Sequence, residues 1–305
     1  RQMCIRDRKE KMAIFTGAGV AIVTPMKENG EVNYDKMGEL LDYQINNSTD
    51  AIVVCGTTGE ASTLTHEEHI ETIRFTADYV KKRVPVIAGT GSNCTETAIY
   101  LSQEAQKAGV DACLVVTPYY NKTSQRGLIA HYTAIHDATN LPIILYNVPS
   151  RTGVNIKPET AAELAKLPRV NGIKEASGDL DQVAKIHELC GDELNIWSGN
   201  DDQIFDILER GGKGVISVLS NIAPKETHEI VASYLNGDKK TSKELMDKYV
   251  KLAKAMFVDV NPIPVKEAVS LIGFNAGPLR LPLIEMDESN KKYVKETMEE
   301  YGLVK

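Results

Sequence analysis

Lys174 ends the run Val170-Asn171-Gly172-Ile173-Lys174, and its setting points to amine chemistry. Period-two alternation sends Ile173 to one face and puts Lys174 on the other with Gly172, so in a buried strand the amine faces the interior. At the usual lysine pKa of about 10.4, roughly one amine in a thousand is free near neutral pH; burial disfavours the charged form and supplies a nucleophile for carbonyl carbon. The same position equally suits an interior ion pair with Glu175 or another carboxylate. Tyr146 follows Ile143-Ile144-Leu145, which places a phenol at the end of an apolar strand, either as a proton shuttle or as a core tyrosine with one hydrogen bond. Thr57 and Thr58, in Gly56-Thr57-Thr58-Gly59-Glu60, offer hydroxyls and backbone N–H groups to a carboxylate, or simply form a turn. Arg151, in Pro149-Ser150-Arg151-Thr152-Gly153, either clamps a second carboxylate in bidentate fashion or stands solvated in a loop.

These residues converge only if the chain alternates strand and helix. Eight short apolar runs read as strands: 19–24, 51–55, 84–88, 112–117, 142–147, 170–175, 194–198 and 214–218. Amphipathic stretches between them, such as 34–44, 66–82, 96–107, 125–138 and 158–167, read as helices. Strands without polar alternation imply burial on both faces, so an α/β (β/α)8 TIM barrel is expected, with an open doubly wound sheet as the alternative. In such a barrel the segments after the strand ends share one mouth, and every candidate above lies there. After the eighth run only helical periodicity remains, in 225–235, 242–257, 264–272 and 289–301. The expected organisation is a leader at 1–11, a barrel over 12–236 and a C-terminal helical domain over 237–305 packed on it, with Met12 as the natural start.

Composition narrows the class. A formal charge of −7 in 305 residues opposes a large basic surface, so a sequence-independent grip on nucleic acid is not expected. No window reaches the ~18 apolar residues of a membrane span, and 1–11 lack the apolar stretch of a signal peptide. The odd set Cys4, Cys55, Cys94, Cys113 and Cys190, without CxxC spacing, reads as buried free thiols of a cytoplasmic protein. His66-Glu67-Glu68-His69 suggests a metal site only weakly, because the spacing is not HExxH and no third ligand is evident. Gly89-Thr90-Gly91 suggests phosphate binding, but it follows strand 3 rather than strands 7 and 8.

Gly56-Thr57-Thr58-Gly59-Glu60, Tyr146 to Gly153 and Gly172-Ile173-Lys174-Glu175-Ala176-Ser177-Gly178 together closely resemble the signatures of the 4-hydroxy-tetrahydrodipicolinate (dihydrodipicolinate) synthases. The resemblance runs from Gly17 to Leu283. It implies that Lys174 condenses with pyruvate and that the enamine attacks L-aspartate 4-semialdehyde, at the start of diaminopimelate and lysine biosynthesis. It also implies a proton relay of Tyr146, Thr57 and Tyr120, the last from a neighbouring subunit. Thr57 and Thr58 would hold the pyruvate carboxylate and Arg151 that of the semialdehyde, while Gly199 and Ile216 line the pyruvate pocket. No metal or organic cofactor is implied; a homotetramer, a dimer of dimers, is. Lysine inhibition in the family maps to Ala61, Ser62, His66, His69, Asn93 and Tyr119. Where inhibited members carry a glutamate, this chain has Thr97, with Glu96 about 100° away on a helix, which leaves lysine feedback open. N-acetylneuraminate lyases and 2-keto-3-deoxy-sugar-acid aldolases share the lysine and tyrosine. Sialate lyases, however, tend to carry Ser in place of Thr57 and lack the arginine at 151. A non-catalytic or metal-binding barrel is the reading from a different class.

Overall fold

Every strand residue except Val116 is buried, which explains why the strand runs lack polar alternation. A computed structural model describes residues 10–305. The strands are β1 (Gly17–Ala21), β2 (Ala51–Val54), β3 (Val86–Gly89), β4 (Ala112–Val116), β5 (Ile143–Asn147), β6 (Val170–Glu175), β7 (Asn195–Ser198) and β8 (Gly214–Ser217). All pair in parallel in chain order, and β8 closes on β1, so the sheet is a barrel and not an open doubly wound array.

Helices α1 (Tyr34–Asn46), α2 (His66–Val80), α3 (Thr95–Ala108) and α4 (Gln125–Ala138) follow the first four strands. Next come α5 (Pro149–Thr152), α6 (Pro158–Leu164), α7 (Leu180–Cys190), α8 (Ile204–Leu208) and α9 (Pro224–Leu235). The C-terminal region adds α10 (Lys239–Ala255), α11 (Ile263–Leu271) and α12 (Glu288–Glu300). The segment around Arg151 is the single turn α5 rather than a loop, with Pro149 in its first turn and Gly153 closing it at φ 72°.

Apolar clusters line both faces of the sheet. Ile173 joins Leu164, Val183 and Ile186 on the helix side. Inside the barrel Phe15 and Trp197 stack at 5.2 Å, and Ile144, Leu114, Ile216 and Tyr146 belong to the same interior cluster. From α10 to α12, Leu252, Val265, Val269, Val294 and Met298 join the outer core, so the C-terminal helices pack on the barrel.

Lys11, expected in the leader, sends Nζ to the carbonyls of Ala165, Leu167 and Val170 at 2.6, 2.9 and 2.8 Å. Residues 1–9 of that leader, with Cys4, lie outside the described residues. Cys55, Cys113 and Cys190 are buried, but Cys94 is exposed, against the expectation of buried thiols throughout, because it stands just before the first turn of α3. Among the described residues no helix is long and apolar enough to cross a membrane.

Candidate active site

Parallel pairing of β5 with β6 sets Tyr146 beside Lys174, and the lysine Nζ lies 4.2 Å from the centroid of the tyrosine ring. Both side chains are buried. Glu175, one residue on, points to the other face. Its carboxylate accepts from Ser177 N–H at 2.7 Å and from Asn147 Nδ2 at 3.1 Å, and burial pushes the carboxyl above its usual range. The anticipated Lys174–Glu175 ion pair is therefore not formed, and among the described residues no carboxylate lies within ion-pairing distance of Lys174. Gly199 leaves space for the amine's stem, since a Cβ there would stand 3.2 Å from Lys174 Cε and 2.7 Å from Ala176 Cβ.

Above the lysine lies a cavity of about 230 Å³. Lys174, Tyr146, Thr57, Thr58, Arg151 and Gly199 all line it, so six of the residues expected at the site meet around one small space. The loop after β2 is fixed from several sides. Thr24 Oγ1 donates to Gly59 O at 2.7 Å, and Glu60 is buried against Lys266 Nζ at 2.6 Å while accepting from Arg280 N–H at 3.0 Å. Burial draws the Lys266 ammonium below the usual lysine range, opposed by the Glu60 charge.

The structure also shows participants that the sequence did not mark. Asn261, between α10 and α11, lines the cavity. Its Nδ2 donates to Thr58 Oγ1 at 3.0 Å, and its carbonyl accepts from Arg151 Nη2 at 3.3 Å. Lys266 is the second. Neither could be picked out from the sequence, because a polar residue in a helix–helix connection and a lysine on an amphipathic helix are commonplace there.

Other expected residues lie elsewhere. Ile216 is buried in the barrel interior with Tyr146 and does not line the cavity. Tyr120 is 90% exposed and does not reach the cavity of its own chain. Ala61, Ser62, His66, His69 and Tyr119 line a second cavity of about 360 Å³, whose wall shares Thr57, Tyr146 and Arg151 with the first. Thr97 lines it too, but among the described residues no carboxylate does. Asn93 falls outside it, in a groove with Asn121, whose Nδ2 donates to the Asn93 carbonyl at 3.0 Å.

The His66-to-His69 run has other work. Thr65 and Glu68 form a capping box, Glu68 pairs with Arg280 at 2.6 Å, and His69 Nε2 bonds Gly89 O at 2.7 Å. Gly89 and Gly91 allow close backbone packing, for a Cβ would meet Cys55 O at 2.2 Å and Val116 N at 2.4 Å respectively.

The model of the dihydrodipicolinate synthetase family matches residues 14–301. A 4-hydroxy-tetrahydrodipicolinate synthase of Lachnoclostridium phytofermentans is 61% identical over 294 residues, covering 96% of this chain and all of that one. A crystal structure of the dihydrodipicolinate synthase of Acinetobacter baumannii, complexed with pyruvate, superposes with a TM-score of 0.93 at 41% identity, over 95% of this chain and 99% of that one. A monomeric dihydrodipicolinate synthase variant superposes with a TM-score of 0.93 at 45% identity, over 95% and 98% of the two chains.

Proposed function

Because the chain belongs to the dihydrodipicolinate synthetase family, we propose that its buried Lys174 amine is the Schiff-base nucleophile in the condensation of pyruvate with L-aspartate 4-semialdehyde. The product is 4-hydroxy-2,3,4,5-tetrahydrodipicolinate, and the step opens diaminopimelate and lysine biosynthesis. The observation that carries this assignment is an amine with no ion-pair partner among the described residues, 4.2 Å from the Tyr146 ring, in a cavity that also presents two threonines and an arginine.

Lys174 Nζ adds to the pyruvate carbonyl carbon, and loss of the carbonyl oxygen as water leaves an iminium. Thr57 and Thr58 hold the carboxylate by hydroxyl and backbone N–H donors. Loss of a methyl proton gives the enamine, with the Tyr146 phenol in place to move protons. The enamine carbon bonds to the aldehyde carbon of the semialdehyde, whose oxygen becomes the 4-hydroxyl, while Arg151 holds the remote carboxylate. The substrate amine then attacks the iminium carbon, closing the ring and releasing Lys174, so one water leaves per turnover. No external oxidant or metal enters this balance.

The assembly we assign is a homo-oligomer, a tetramer built as a dimer of dimers, acting in the cytoplasm. Supporting it is Tyr120, whose ring is exposed on a backbone held at φ 68°, a conformation costly for a bulky side chain unless the surface is used. In this arrangement Tyr120 completes the proton relay of a neighbouring subunit. Sialate and sugar-acid aldolase activities are disfavoured by Thr57 and Arg151 at the cavity wall.

Borohydride reduction with pyruvate, followed by peptide mass mapping, tests the central assignment. The reduced three-carbon adduct is expected on Lys174; a folded protein that carries none there refutes it.

A further inference from the structure

Phe257, two residues past the end of α10, lines the cavity above Lys174, yet 46% of its surface is exposed, whereas Lys174 is 6% exposed. The ring therefore stands where the cavity meets solvent, and the amine lies deep. An exposed apolar side chain is ordinary on a protein surface, but one that also walls a substrate cavity meets whatever enters it. We propose that Phe257 is a specificity-determining residue whose ring covers the aldehyde chain at the mouth and selects against hydroxylated aldehydes. The inference rests on the reaction assigned above and concerns its second substrate.

The order of events leads to this assignment. Pyruvate is bound first, as the adduct on Lys174, so it fills the deep part of the cavity. The aldehyde then approaches the enamine carbon from the open side, where Phe257 stands. Next to its aldehyde carbon aspartate semialdehyde carries a methylene group, which loses nothing against a phenyl ring. Glyceraldehyde and the open chains of longer sugars carry hydroxyls there. The ring excludes the water that would pair such a hydroxyl and supplies no polar atom in its place, so the group is left unsatisfied.

The segment that carries the ring is tied down on both sides. Met256 is buried in the outer core, and Phe257 N–H donates to the Lys254 carbonyl at 3.0 Å. Four residues on, Asn261 holds Thr58 Oγ1 through its side chain and Arg151 through its carbonyl. The C-terminal region thus sets an apolar rim over a site whose reacting groups come from the barrel.

The test compares L-aspartate semialdehyde with D-glyceraldehyde at saturating pyruvate, each condensation product being followed by mass spectrometry. The inhibition constant of glyceraldehyde against the semialdehyde serves as a second reading. In full-length Phe257→Ala and Phe257→Asn enzymes, kcat/KM for glyceraldehyde relative to the semialdehyde is expected to rise on the order of ten- to a hundredfold, the worth of a hydroxyl against an apolar wall. Phe257→Leu keeps an apolar rim and is expected to keep the wild-type ratio. An unchanged ratio in both the Ala and Asn variants, or an equal rise in Phe257→Leu, overturns the role. Borohydride trapping of pyruvate on Lys174 should persist in all three; a variant that is folded by circular dichroism yet traps none places Phe257 with the first substrate and also overturns it. Failure of the wild-type enzyme to trap pyruvate instead overturns the reaction itself, so the two failures are distinguishable.

Discussion

Arg151 is the cation we assign to the second of two substrates that both carry a carboxylate. It stands on the turn α5 and lines the same cavity as Lys174, Thr57 and Thr58. Arg151→Ala should therefore leave formation of the pyruvate adduct nearly intact and lower kcat/KM for the semialdehyde by roughly a hundredfold, the worth of a charge-assisted bidentate contact. Borohydride trapping and steady-state kinetics on the same preparation read the two separately; equal loss of both refutes the assignment. This part of the site was legible in the sequence because a lysine in an apolar strand and a tyrosine at the end of its neighbour are unusual, and strand ends of a barrel share one mouth. Asn261 was not legible, because its role depends on where α10 and α11 place it against Thr58 and Arg151. Of the two even readings of Lys174, the ion pair with Glu175 is not formed, because Glu175 turns outward to Ser177 and Asn147.

Among the elements, the loop after β2 and helix α11 act as one unit. Glu60 and Lys266 are both almost fully buried and bonded at 2.6 Å, and Lys266 also donates to Pro278 O at 2.7 Å. Removing one partner strands the other charge in the interior, so Lys266→Met should cost about 3–5 kcal/mol in denaturant unfolding. Replacing both, Glu60→Met with Lys266→Met, should return much of that stability, since a buried pair yields little over well-packed apolar residues. The double variant should still bind pyruvate less tightly, because the Glu60 carboxylate also accepts from Arg280 N–H and so fixes the loop that presents Thr57 and Thr58. Recovery of stability with unchanged pyruvate KM would show that the pair has no positioning role. The strands themselves were legible to within two or three residues, since burial on both faces writes an apolar run. Their ends were less so: β1 begins at Gly17, where Asp50 accepts from Ala18 N–H at 2.7 Å, a contact between distant positions that periodicity does not encode. The turn α5 was read as loop for a similar reason, being too short for a helical period to register.

At the scale of the whole molecule, the second cavity and the exposed Tyr120 test the assembly and the regulation proposed above. Among the described residues the cavity is lined by Ser62, His66, His69 and Thr97 but by no carboxylate, and Glu96 is exposed outside it. A ligand with two ammonium groups finds no counter-charge there, so millimolar L-lysine is expected to leave activity unchanged, and Thr97→Glu to confer inhibition measurable in the coupled assay. Tyr120 permits a sharper test, because a residue acting across an interface can be complemented. Tyr120→Phe should lose most activity through the broken proton relay, on the order of a hundredfold, and Lys174→Ala should lose all of it for want of a nucleophile. When the two variants are unfolded together and refolded, or co-expressed, half of the sites in a mixed pair combine an intact Lys174 with an intact Tyr120 from the partner. Activity should therefore return to a sizeable fraction of wild type in the mixture, although neither parent has it. If Tyr120 served its own chain, every site would lack one group or the other, and mixing would restore nothing.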